Sequence, residues 1–208
     1  MKKLVLLIVL ALAGVLAYYL LYSKKNKPHD DTEKQQAVTV GNYSDAFNNS
    51  MNGALKAYYD LSEAFVNWDS SAIRLNATAL KENIANIQFN EIQKDTVIFE
   101  TATSYIDGLN ADLSTIMQQP DVVQKRKALN SFSQNFFDLL RTVKYDGGTI
   151  FLQECPMAFN DTEAGIWLSN KANIRNPYLG LHHPKYKSGM LECGETKDSL
   201  QFSGLNDN

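Results

Sequence analysis

The sequence predicts a mainly α protein: an up-down four-helix bundle with a small C-terminal strand-and-loop cap, preceded by one N-terminal transmembrane helix. Three observations predict it. An apolar run opens the chain. Between residues 44 and 146, four stretches repeat apolar residues every three or four positions. After Gly147-Gly148 the texture turns to β-branched and aromatic runs separated by turn residues. The domain organisation follows as residues 1–27 anchor or signal, 28–43 tether, 44–148 bundle, and 149–208 cap and tail.

The N-terminal segment places Lys2 and Lys3 before an apolar run from Leu4 to Tyr22, with Lys24, Lys25 and Lys27 after it. That run of 19 residues spans about 28 Å as a helix, close to the hydrocarbon thickness of a bilayer. Tyr18, Tyr19 and Tyr22 stand where interfacial aromatics belong. The sequence therefore favours an uncleaved single-span anchor over a cleaved signal, whose apolar region is shorter. The short N-terminal tail favours export of the body, which would sit in the cell envelope, tethered to the cytoplasmic membrane and facing the periplasm. Residues 28–43 are polar and without periodicity, as a flexible tether is.

Helix one is expected from Ser44 to Asn67, with Phe47, Met51, Leu55, Tyr58, Leu61 and Phe65 on one face. Helix two follows the N-cap Asp69 and carries Leu75, Ala79, Leu80, Ile84 and Ile87. Helix three starts near Asp95 with Ile98, Ala102, Tyr105, Leu109, Leu113 and Ile116. Helix four follows Pro120-Asp121, with Leu129, Phe132, Phe136, Leu139 and Val143, and stops at Gly147-Gly148. Short connections favour antiparallel neighbours. Aromatics at helical spacing, Trp68 among them, are expected in the core. The charged runs Lys81-Glu82 and Lys125-Arg126-Lys127 are expected on solvated faces. No Glu-x-x-His pair occurs in the helices, so a di-metal bundle core is not expected. In the cap, Thr149–Gln153 and Gly165–Ser169 have strand composition and 176–180 that of a turn, packed on one end of the bundle.

Net charge is −3 and there is no basic stripe, so no nucleic-acid partner is expected. The chemistry concentrates in the cap. Cys155-Pro156-Met157 and Met190-Leu191-Glu192-Cys193 hold both cysteines and two of the five methionines, and His182-His183 lies between them. Thiolate, thioether and imidazole suit Cu(I), and to a lesser degree Zn(II). The competing reading is a Cys155–Cys193 disulfide. It would close a loop of 39 residues, which chain entropy credits with about 4 kcal/mol. In that reading there is no metal, and the protein is an interaction module whose cap is stapled. A thiol nucleophile with a histidine base is the third reading. No orienting group is visible for it, and Cys-Pro-Met is not a redox Cys-x-x-Cys pair, so an enzyme is not expected.

Residues 58–69 (Tyr-Tyr-Asp-Leu-Ser-Glu-Ala-Phe-Val-Asn-Trp-Asp) resemble the start of a bacterial domain family known only as domain of unknown function 3347. Cys-Pro-Met-Ala-Phe (155–159), Trp-Leu-Ser (167–169), Ile-Arg-Asn-Pro-Tyr-Leu-Gly (174–180), His-Pro-Lys-Tyr (183–186) and Met-Leu-Glu-Cys-Gly-Glu (190–195) carry the resemblance further, over roughly residues 44–200. Members occur as small exported proteins or fused to periplasmic adaptor subunits of heavy-metal efflux pumps. The resemblance therefore implies copper or silver handling, with efflux-pump or adaptor subunits as partners. The ligand set it implies is Cys155, Met157, Met190 and Cys193, with His183 as an optional fifth. Trp167 and Asn176-Pro177-Tyr178 would surround the site.

Overall fold

The computed structural model describes residues 43–201, together with Val15 and Tyr18. Apart from those two, the anchor expected over residues 1–27 lies outside the described residues, as does the tether up to residue 42. No helix among the described residues is long and apolar enough to cross a membrane. The fold below lies in the compact unit that begins at Thr39.

The chain is mainly helical with a small three-stranded antiparallel sheet. Helix α1 (Asp45–Val66) is capped by Ser44, whose side chain accepts from the Phe47 amide, and it buries Phe47, Met51, Tyr58, Leu61 and Phe65. It ends in a closure with the Asp69 amide on the Ala64 carbonyl and Trp68 in the left-handed region at φ 56. Asp69 then caps α2 (Ser70–Ala85) through the amides of Ser71 and Ala72. The buried stripe of α2 is Ile73, Ala77, Leu80 and Ile84, whereas Leu75, expected inside, is 71% exposed. Continued by helical steps, the Leu75–Ala79 row runs into Glu82 and Asn86, so that face has nothing apolar to bury.

A short 3-10 turn (Phe89–Lys94) leads to α3 (Thr96–Gln118), capped by Asp95, and Asp121 caps α4 (Val122–Thr142). Consecutive helices pack pairwise, α1 on α2, α2 on α3 and α3 on α4. Phe132, Phe136 and Phe137 of α4 are fully buried, each worth about 1.5–3 kcal/mol of apolar transfer.

Strand β1 (Ile150–Phe159) is central, flanked by β2 (Glu163–Ser169) and β3 (Glu195–Leu200). The first two strands answer the sequence pattern. The third does not, because only Leu200 of that edge strand is buried and no alternation marks it. The sheet docks along the sides of α1 and α4 and not on an end. Tyr58 is the bolt: it accepts from the Leu168 amide and donates to Ser133, whose hydroxyl donates to the Leu129 carbonyl. Along α4 the cap is held near one end by Arg126 on the Pro177 carbonyl and near the other by the Arg141–Asp198 ion pair. Fifteen helical residues separate these points, about 22 Å of rise.

Candidate metal centre

Cys155 lies in β1 opposite Gly165 of β2, and it is completely buried. On the other side, β1 pairs with β3 through Glu154 opposite Glu195, which brings the Cys193–Gly194 corner alongside Cys155. Both thiols are free and close enough to share a hydrogen bond. Burial pushes the Cys193 thiol above its ordinary range, and the neighbouring Cys155 pushes it further. Cys193 is only half-buried, so the pair has one covered and one solvent-facing member.

Three features hold that corner. Asn176, fully buried, donates from Nδ2 to the Cys193 carbonyl at 2.8 Å, while its Oδ1 accepts from the Tyr178 and Leu179 amides. The Asn176 amide donates to the Leu191 carbonyl, and the Cys193 amide to that of Met190. Gly194 stands at φ +143, where a Cβ would come 2.7 Å from the Glu154 carbonyl oxygen and 2.9 Å from the Trp167 ring. The corner therefore requires glycine. Trp167 is buried and meets Tyr178 edge-on at 6.0 Å. Asn176 and Trp167 thus stand at the Cys193–Gly194 corner, whereas the Pro177 carbonyl is turned to Arg126.

The remaining expected ligands divide. Met190 is joined to Cys193 by a single turn and is half-buried against the core. Met157 follows Cys155, but the register between β1 and β2 shifts between Cys155 and Phe159, and Met157 lines a different cavity together with His183. His183 is committed to its own loop: Nδ1 accepts from the amides of Lys185 and Tyr186, each at 3.2 Å, and the ring stacks on Tyr186. In the neutral ring that fixes the hydrogen on Nε2. A metal at either nitrogen would have to break those contacts first, so His183 is poorly placed as a ligand. His182 is exposed. Among the described residues no three His, Cys, Asp or Glu side chains converge as a metal site. A set of two thiolates with thioethers does not need a third such group, whereas the usual zinc shell does.

The helices in front of this cap carry the family signature. A family model described as "Protein of unknown function (DUF3347)" matches residues 54–147. Residues 54–147 thus carry that family's domain. The match runs from Ala54 in α1 to Gly147 after α4, so it covers the helical part. The resemblance read from the sequence extended to residue 200, and the cysteine-bearing motifs lie beyond the stretch that the family model matches. No curated protein and no solved structure matches the chain.

Sequence reasoning misplaced one prominent side chain. Arg126, expected on a solvated face with Lys125, is 4% exposed, and Lys125 is buried as well. The Arg126 guanidinium lies 3.9 Å over the Trp68 ring and donates to the carbonyls of Phe65 and Pro177. Burial lowers its pKa to about 10. The signal was present: Arg126, Leu129, Ser133 and Phe136 lie on one helical row, and all four are buried.

Proposed function

We propose that this protein is an exported, membrane-tethered binder of a soft monovalent metal, Cu(I) or Ag(I), in copper homeostasis or efflux, and a binding protein and not an enzyme. The adjacency of Cys155 and Cys193 carries the reading. Two thiols brought together from distant points of the chain, one covered and one reachable, need only lose their protons and open slightly to embrace such an ion. Met190, joined to Cys193 by a single turn, would supply a thioether, which discriminates for Cu(I) over Zn(II). The bundle, an up-down four-helix scaffold in this reading, positions the cap. The apolar run Leu4–Tyr22 would hold the protein to the cytoplasmic membrane with its body in the periplasm. Efflux-pump or adaptor subunits would be its partners.

An anaerobic Cu(I) titration of the reduced protein against a competing chelator tests this. One-to-one binding that Cys155→Ser/Cys193→Ser loses is expected. Equal binding by both proteins, or none by either, would sink the proposal.

The same adjacency favours a second reading, in which the pair is oxidised to a disulfide and the protein is a docking module with a stapled cap. Thiol counting after purification under air separates the two. In that reading the thiols are lost without metal, and reduction lowers the melting temperature without restoring any Cu(I) binding.

A further inference from the structure

The N-terminal end of α4 borders a cavity of about 280 Å³ that the sulfur chemistry does not use. Trp68, Val123, Met157, Phe159 and Leu179 give it apolar walls, and Arg126 and His183 also line it. Arg126 is a buried cation without a counter-ion: among the described residues no carboxylate pairs with it, and burial is the main influence on its pKa. A guanidinium carries five N–H donors. Only Nε and Nη2 find acceptors, both of them backbone carbonyls, and Nη1 is buried with none. Desolvating a charge in this way is costly, and the face of Trp68 offsets only part of it.

His183 adds a neutral donor to the same wall. Its Nδ1 accepts two backbone hydrogen bonds, which leaves the ring hydrogen on Nε2. The one acid lining the cavity, Asp161, is taken up by Lys185 and by the Tyr186 hydroxyl. Trp68 is itself held in the left-handed region, with its indole donating to the Leu179 carbonyl at 3.0 Å. The closure that ends α1 thus leaves the Trp68 ring under Arg126.

We propose that this cavity binds a small organic monoanion, a carboxylate on a short apolar chain or ring. Its charge would meet Arg126 and the His183 Nε2–H, and its apolar part would lie against Val123, Met157 and Phe159. Apolar walls with a few polar groups are the usual make-up of a small-molecule site, and a guanidinium matches a carboxylate in geometry as well as charge. The cysteines take no part, so the site stands or falls independently of copper.

Calorimetry on the full-length chain in a non-ionic detergent, with hexanoate, benzoate and phenylacetate as probes and hexan-1-ol as the uncharged control, tests the site. At least one carboxylate is expected to bind one-to-one, and hexan-1-ol is not. Arg126→Gln should weaken binding by at least about tenfold. Val123→Trp keeps the guanidinium and fills the cavity, so it should abolish binding while the unliganded melting temperature holds, and it decides the matter if Arg126→Gln does not fold. No saturable binding of any of the three carboxylates, equal binding of hexan-1-ol, or unchanged binding by Val123→Trp would overturn the proposal.

Discussion

Cys193 sits at a corner whose geometry is set by its neighbours. Gly194 is the least replaceable of them, since a methyl group there meets both the Glu154 carbonyl and Trp167 at a φ that side chains avoid. Gly194→Ala should cost about 2 kcal/mol or more in a urea unfolding series, and it should weaken Cu(I) binding by displacing the adjacent thiol. An unchanged midpoint would show that the corner can relax. Protonation sets a second residue-scale expectation. The Cys193 proton is held tightly by burial and by Cys155, and a metal must displace it. Below the thiol pKa, apparent Cu(I) affinity should therefore rise with pH, by up to about tenfold per unit for each proton released. A flat pH profile would mean that the thiols are not the ligands.

The docking of sheet on helices depends on Tyr58. Its hydroxyl joins α1, α4 and β2 in a single hydrogen-bonded chain inside the core. Tyr58→Phe strands the Leu168 amide and should cost about 1–3 kcal/mol, measured by denaturant midpoint. The buried phenols also set the alkaline limit of the fold. Burial raises Tyr58 and Tyr145 from 10.0 to about 12 and pushes Tyr178 well above its ordinary value. The folded state therefore holds these protons more tightly than the unfolded chain does. The stability they give is complete below pH 10 and is lost as pH rises from 10 toward about 12. Urea midpoints across that range should fall, and fall less in Tyr145→Phe, which removes a phenol outside the Tyr58 chain.

At the scale of the molecule, the family match ends at Gly147, yet the helices are not finished there energetically. The cap is tied along α4 from Arg126 to Arg141, and the Asn130 side chain accepts from the Ile166 amide. Residues 43–148 alone would expose the face around Tyr58 and Phe132 that β2 covers. They are expected to lose the sharp thermal transition of the longer chain. A cooperative transition retained by the fragment would make the helical part an autonomous domain, with the cap an accessory to it.

The four helices were legible because burial on one face imposes a three-to-four-residue period, and because Ser44, Asp69, Asp95 and Asp121 mark their starts. Two strands were legible from composition, and so were the chemical types that could form a site. The sequence could not place those types relative to one another. Cys155 and Cys193 come together only through the β1–β3 register, and β3 is an edge strand with almost nothing buried to announce it. His183 carried ligand chemistry but spends its lone pair on its own loop. Arg126 had a surface composition and a core position, because a stacked indole and two carbonyls from other elements offset part of its desolvation. Local periodicity and capping are properties of neighbours in the chain, so the sequence by itself determined the helices and the candidate donors. Which donors meet depends on contacts between residues far apart in sequence, and the tertiary packing alone decided that.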